Sequence, residues 1–182
     1  MKVLTVAAIA LAFLTLGALA AGAARAEVTD KSAAGFEVTQ KTTIAATPAK
    51  VWDGLMHPAR WWNSQHTWSG DAKNLSFDPS GCFCEKLKKG AVRHMSIVYA
   101  DEAKQLRMFG ALGPLQFTGA AGHMGVTLKP AAAGGATDVV MTYDVGGYAK
   151  GGLAETLAAP VDVVLGEQLA RLKKAVETGK PD

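Results

Sequence analysis

The strongest constraint in this sequence is a run of strand-like segments joined by connections too short for anything but antiparallel pairing. Residues 74–77, 82–87, 92–99, 105–109, 116–128 and 137–145 are rich in β-branched, aromatic and alternating apolar side chains. Turn-forming stretches separate them: Asp78-Pro79-Ser80-Gly81, Lys88-Lys89-Gly90, Asp101-Glu102, Leu112-Gly113-Pro114 and residues 130–135. A parallel neighbour needs a crossover of about a dozen residues, which none of these gaps supplies. The middle of the chain is therefore a meander.

What flanks the meander limits the fold further. Residues 35–46 read as a first strand, rich in Val, Thr and Ile. Thr47-Pro48 then starts a helix, the hydroxyl serving as N-cap and Pro occupying the first helical position, where its missing N–H costs nothing. His57-Pro58 interrupts that helix, and Pro58 opens a second short one carrying Arg60, Trp61 and Trp62. At the other end, Val161, Val164, Leu165, Leu169, Leu172 and Val176 fall on one helical face, broken only by Gln168. Pro160 reads as the first turn of this helix and residues 153–158 as a separate short turn. The expected class is α+β: a curved antiparallel sheet of about seven strands wrapped around a long C-terminal helix, with two short helices after the first strand. Laying the helix in the concave side buries both apolar surfaces, and curvature leaves a cavity there.

The first 26 residues have a different character. Lys2 supplies a positive start, residues 3–19 are uncharged and mostly apolar, and Ala24-Arg25-Ala26 fits the small-x-small pattern of a cleavage site. Residues 1–26 thus read as a signal peptide, 27–34 as a polar, flexible lead-in and 35–179 as one domain, a size that suits 182 residues. A periplasmic or secreted location follows as an expectation, with no stable membrane insertion once the leader is cleaved. The chain carries 19 basic and 16 acidic residues; without Lys2 and Arg25 the balance is 17 against 16, or +1. So small a charge, with no run of more than two basic residues, excludes nucleic acid as a partner. It leaves oligomeric state undetermined.

Three local segments carry a resemblance: Thr47-Pro48-Ala49-Lys50-Val51-Trp52 after the first strand, His57-Pro58-Ala59-Arg60-Trp61-Trp62, and Gly81-Cys82-Phe83-Cys84-Glu85 opening a strand. With the order of elements, they resemble the START-like or birch pollen allergen-like superfamily, SRPBCC, over residues 36–178. Within it they look like the polyketide cyclase and heat-shock ATPase activator-homologue branch. The resemblance implies a helix-grip fold with a hydrophobic cavity between sheet and C-terminal helix. Members bind lipids, hormones or pigments, or cyclise polyketides, so fold alone does not assign chemistry.

Candidate site residues come from asking which side chains enter that cavity. Trp61, Trp62 and Trp68, near His66, bring aromatic surface suited either to core packing or to ligand stacking. On the strand at 82–87, Phe83, Glu85 and Leu87 share one face and Cys82, Cys84 and Lys86 the other. Lys86 is costly to bury, which turns Phe83, Leu87 and with them Glu85 inward. A four-residue turn at 88–91 sets Glu85 opposite His94; a turn one residue shorter sets Glu85 opposite Arg93 and Cys84 opposite His94. Met108, Leu106 and Tyr143 lie on inward faces, whereas His123 points outward and His57 belongs to a helix end. Cys82 and Cys84, the only cysteines, sit about 6.6 Å apart in a regular strand, the loose limit for a disulfide. They read as small half-buried residues, a local disulfide or a metal half-site.

The expected ligand-binding set is therefore Trp61, Trp62, Phe83, Glu85, His94, Met108 and Tyr143. The expected partner is a hydrophobic small molecule or lipid, with no catalytic residue, metal or cofactor assigned. No serine nucleophile elbow, glycine-rich phosphate loop or HExxH segment occurs. Two alternatives stand beside the binding module: a cyclase or hydrolase-like enzyme in which Glu85, His94 and Tyr143 transfer protons, and a redox or metal function at Cys82 and Cys84.

Overall fold

The computed structural model describes residues 25–79, 81–132 and 134–182. The expected leader lies outside the described residues, apart from Arg25 and Ala26. In chain order come β1 (Arg25–Ser32), β2 (Gly35–Ile44), α1 (Pro48–Leu55), β3 (Leu75–Phe77), β4 (Cys82–Leu87), β5 (Gly90–Asp101), β6 (Gln105–Gly110), β7 (Gly119–Pro130), β8 (Thr137–Tyr148) and α2 (Leu153–Thr178). Single 3-10 turns occupy Pro58–Arg60, Ser64–His66, Ala72–Asn74 and Gly113–Phe117. The eight strands form one antiparallel sheet in the order β1-β2-β8-β7-β6-β5-β4-β3, so β3 to β8 are a meander and β2 closes onto its last strand.

The class is α+β as expected, with three departures. Residues 25–32, read as leader end and flexible lead-in, form edge strand β1, paired with β2 from Arg25↔Lys41 to Ser32↔Gly35. Val28 packs against the core, and a bulge at Thr29 interrupts the ladder. Little alternation is needed in a strand so placed, which is why its sequence looks polar. Residues 116 and 117, expected to start the strand, belong instead to a 3-10 turn over Gly113–Phe117, with the Thr118 hydroxyl donating to the Leu115 carbonyl at 2.7 Å. Finally, α2 runs unbroken from Leu153 with Pro160 inside it. Pro160 removes one helical hydrogen bond. Burial of Leu153, Ala154 and Ala158 in the turns before it holds that segment to the body of the protein.

α1 forms as its cap predicts, the Thr47 hydroxyl accepting from the Lys50 N–H and Val51 and Leu55 turned into the core. The concave face of the sheet supplies Phe36, Val38, Leu106, Met108, Met124, Val126, Met141, Tyr143 and Val145, all buried. Against it lie Leu165, Leu169, Leu172 and Val176 of α2. Each fully buried leucine contributes roughly 2 kcal/mol relative to exposure. The polar break in the helical stripe, Gln168, is completely buried, and its Oε1 accepts from the Asn63 N–H at 2.8 Å. Gln40 of β2 reaches across to α2, donating to the Asp162 carbonyl at 3.1 Å. Among the described residues no helix is long and apolar enough to cross a membrane.

Candidate functional site

A cavity of about 310 Å³ opens beneath the N-terminal half of α2. The helix contributes Leu157, Pro160, Val161, Val164 and Leu165, the sheet contributes Phe83 and His94, and two connections, residues 65–68 with Trp62 and residues 112–115, close the sides. The walls are mostly apolar. Rings line one side in sequence, Trp62 to Phe83 at 5.2 Å and Phe83 to His94 at 4.8 Å between centroids, and Trp61 packs behind Trp62 at 5.4 Å. The Trp62 indole N–H is spent on the His66 carbonyl at 3.0 Å, so this ring presents its apolar surface.

The β4–β5 hairpin that carries Phe83, Glu85 and His94 follows neither expected register. Leu87 pairs with Gly90, and Glu85 therefore lies opposite Val92. Lys88 and Lys89 make the turn, and Gly90 absorbs its twist at φ +118°, which a side chain would resist. Glu85 and His94 still meet, because residues two apart share a face and diagonal cross-strand neighbours are within reach of long side chains. A bulge between Phe83 and Cys84, which pair with Met95 and Arg93, brings both His94 and Met95 inward.

The contact is fully buried, Glu85 being 1% and His94 5% exposed. His94 Nε2 lies 3.0 Å from Glu85 Oε2, and the same carboxylate accepts the backbone N–H groups of Trp68 at 3.1 Å and Ser69 at 2.5 Å. Burial by itself would raise the Glu85 carboxyl, but hydrogen bonds from Ser69, Trp68 and His94 outweigh it and hold the group below its ordinary range. For His94 the balance reverses: burial depresses the imidazole, and the attraction of Glu85 only partly opposes it. The arrangement is an ionised carboxylate beside a neutral imidazole. Glu85 accepts at Nε2–H, which leaves Nδ1 as a lone pair, and that buried nitrogen has no hydrogen-bond partner.

The structure brings Trp62, Phe83 and His94 to the cavity wall and places Glu85 directly behind His94. Trp61, Met108 and Tyr143, the other expected members, do not line it. Trp61 is 1% exposed and donates to the Gly54 carbonyl at 2.9 Å, a core role. Met108 points inward as its strand face requires, but into the filled part of the core. Tyr143 donates to the Gly110 carbonyl at 3.0 Å and accepts from the Leu112 N–H at 3.3 Å, and burial pushes its phenol up to about 12. Its hydroxyl fixes the start of the 112–115 wall without reaching the cavity. Of the lining residues of α2, Val161, Val164 and Leu165 were signalled by the apolar stripe, and Leu157 and Pro160 were not. Those at 65–67 and 112–115 carry no periodicity that could have marked them.

On the opposite face of β4, Cys82 and Cys84 form a disulfide with Cα atoms 5.4 Å apart. That is closer than the about 6.6 Å between residues two apart in a regular strand. Phe83, between them, faces the cavity. Among the described residues no group of three or more His, Cys, Asp or Glu is placed to hold a metal ion.

No protein-family model matches this sequence, and no curated protein does. Solved structures do. An uncharacterised protein from Rhizobium leguminosarum is similar at 17% identity and a TM-score of 0.55, covering 78% of this chain and 93% of that one. A conserved protein of unknown function from Enterococcus faecalis is similar at 18% identity and a TM-score of 0.54, covering 79% of this chain and 72% of the other. CalU16 from Micromonospora echinospora is similar at 13% identity and a TM-score of 0.51, with coverage of 87% and 83%. At such identities the likeness concerns backbone architecture alone, and that architecture, a curved antiparallel sheet gripping a long C-terminal helix, is the helix-grip fold.

Proposed function

We propose that this chain is an exported SRPBCC protein, of the polyketide cyclase and heat-shock ATPase activator-homologue branch, that binds an apolar small molecule or lipid in the cavity beneath α2. The observation that carries the reading is the cavity itself: about 310 Å³, walled by aromatic and aliphatic side chains, with a buried histidine on its wall. Ligand sites combine apolar lining with a few placed polar groups in this way. Export is supported by the composition of residues 1–26 and by the Cys82–Cys84 disulfide, since such bonds persist in oxidising compartments.

The test is titration of the purified protein with the neutral fluorophore N-phenyl-1-naphthylamine, followed by native mass spectrometry for any co-purified molecule. Saturable one-to-one binding is expected, abolished when Val161 and Val164 are replaced by Trp to fill the space. A folded wild-type protein that neither takes up the probe nor carries a small molecule overturns the reading. Equal binding by the filled variant, shown folded by circular dichroism, places the ligand elsewhere and does the same.

A further inference from the structure

The face of β4 turned away from the cavity carries a different chemistry. Cys82 and Cys84 are joined there across a single intervening residue, and both are half-buried. As a staple this bond does little. A cross-link stabilises chiefly by restricting the unfolded chain, a three-residue loop has little freedom to lose, and β4 is already paired with β3 on one edge and β5 on the other. The surroundings of the two sulfurs differ. Cys84 stands opposite the exposed Arg93 of β5, and directly opposed residues share a face with Cβ atoms about 5 Å apart. Cys82 stands opposite Ser96 of β5, and across its other edge its carbonyl accepts from the N–H of Asp78 at 3.0 Å. A neighbouring cation stabilises a thiolate and a neighbouring carboxylate opposes it, which makes Cys84 the better leaving group and Cys82 the sulfur to be attacked. The register continues from Cys82 through Ser96 to Phe109 of β6, so Phe109 stands on the same face two strand spacings, about 10 Å, away with only a small residue between. Phe109 is 44% exposed, its ring resting against His123 at 4.9 Å between centroids.

From this row of disulfide, small residue and exposed ring we propose that Cys82–Cys84 is a redox-active bond that oxidises the dithiol of a polypeptide partner, an apolar side chain of which rests on Phe109. A partner thiolate attacks Cys82 Sγ. The new sulfur–sulfur bond forms as the Cys82–Cys84 bond breaks, and the electron pair of the broken bond leaves on Cys84 Sγ, beside Arg93. The partner's second thiolate then attacks its own sulfur in the mixed disulfide and releases the Cys82 thiolate. The partner has lost two electrons and become a disulfide; this chain has gained them and takes up the two protons that the partner's thiols gave up. A low-molecular-weight disulfide restores the Cys82–Cys84 bond by the same exchange run the other way. The proposal concerns the outer face of the sheet and stands whether or not the cavity binds a ligand.

The oxidised protein is mixed with dithiothreitol at pH 7.5, and reduction is followed by alkylation of the freed thiols and mass spectrometry. Reduction of the folded wild-type protein within minutes is expected, at a rate that urea below the unfolding transition leaves unchanged. A bond reduced only as fast as the protein unfolds, at a rate that climbs with urea, is a structural staple and overturns the proposal. The partner is tested with two reduced peptides of one design, each with a pair of cysteines, flanked in one by phenylalanine and in the other by serine. The phenylalanine peptide should be oxidised several-fold faster. Phe109→Ser should remove that advantage and leave the rate with dithiothreitol unchanged. Arg93→Gln should slow all three reagents several-fold, because the leaving thiolate loses its cation. Failure of the oxidised protein to oxidise either peptide, equal rates for the two, or an Arg93→Gln protein as fast as the wild type overturns the proposal.

Discussion

The two halves of α2 carry one apolar stripe but meet different surroundings. In the C-terminal half, Leu169 and Leu172 are completely buried and α1 closes over them. A glycine, Gly54, makes that approach possible: a Cβ there would lie 2.5 Å from Val176 Cγ2. In the N-terminal half, Leu157, Val161 and Val164 are only half-buried, because the covering elements are the turns at 64–68 and 113–117, which stand off from the helix. The difference teaches that a helical stripe specifies where a helix faces, while its neighbours decide whether the space against it is filled. Stability is concentrated at one end and room for a ligand at the other.

The largest expected effect contrasts the halves directly. Leu172→Ala should cost about 2–5 kcal/mol, since the removed methyls leave a void in a packed region. Val164→Ala, facing an existing cavity, should cost about 1 kcal/mol or less. Urea denaturation of both variants measures this, and equal losses would abolish the distinction between a filled and a hollow end.

Next in size is the buried pair behind the hollow end. Glu85→Gln should cost roughly 2–3 kcal/mol at pH 7, the range for hydrogen bonds to a charged group. The pH dependence has a defined sign. Glu85 is held below its ordinary range, so its contribution is complete above about pH 4.3 and is lost as the pH falls through its lower folded value. His94 is also depressed, so the unfolded chain takes up its proton first and stability drops as the pH falls below about 6.5. The groups that bear on this are Glu85 itself and, at the rim, His66 with Glu167, whose carboxyl is lowered chiefly by its hydrogen bond from Asn63. Urea midpoints from about pH 7.5 to about 2.5 should fall in two stages, and His94→Gln should remove the upper one.

How much of this was legible follows the same division. Elements whose signal is local and periodic were readable: the capped start at Thr47-Pro48, the meander, and the terminal helix. The inward face of β4 was readable too, because exposing Lys86 forces Phe83 and Glu85 the other way. Edge strand β1 was not, since its sequence, Glu27-Val28-Thr29-Asp30-Lys31-Ser32, is almost wholly polar. Nor was the hairpin register, which depends on whether Gly90 falls inside the turn or on the strand. The cavity wall at 112–115 depends on the Tyr143 hydroxyl, contributed from 31 residues farther along the chain. Spacing in sequence carries no trace of such a bond.

The disulfide offers a smaller perturbation with a sharper location. Replacing both cysteines by serine opens a loop of only three residues, for which loop-closure entropy gives about 1.5 kcal/mol. Because Phe83 sits between them on the cavity side, the double variant should weaken binding of N-phenyl-1-naphthylamine. Hydrogen exchange at Leu169 and Leu172 should fall in protection only by the global loss of stability. Unchanged affinity would mean that Phe83 keeps its place on the cavity wall without the bond.

The smallest effect on stability is expected at the exposed edge of the cavity, where Trp68 and Phe117 join the two covering turns by an edge-on ring contact 5.4 Å between centroids. Phe117 is 79% and Trp68 43% exposed, so most of their surface faces solvent in the folded state as in the unfolded one. Phe117→Ser should therefore change the folding free energy by less than about 0.5 kcal/mol, as surface substitutions commonly do. Its effect on the ligand should be kinetic. Trp68 lines the cavity, and its backbone is already fastened to Glu85; Phe117 adds the link to the opposite wall, where Gln116 donates to the Arg93 carbonyl at 3.2 Å. Cutting the aromatic link should speed release of N-phenyl-1-naphthylamine several-fold in stopped-flow measurements. Leu172→Ala should leave release unchanged once unfolded protein is accounted for. If the Leu172 variant accelerates release and the Phe117 variant does not, exit of the ligand runs through breathing of the packed end, and the division of labour along α2 fails.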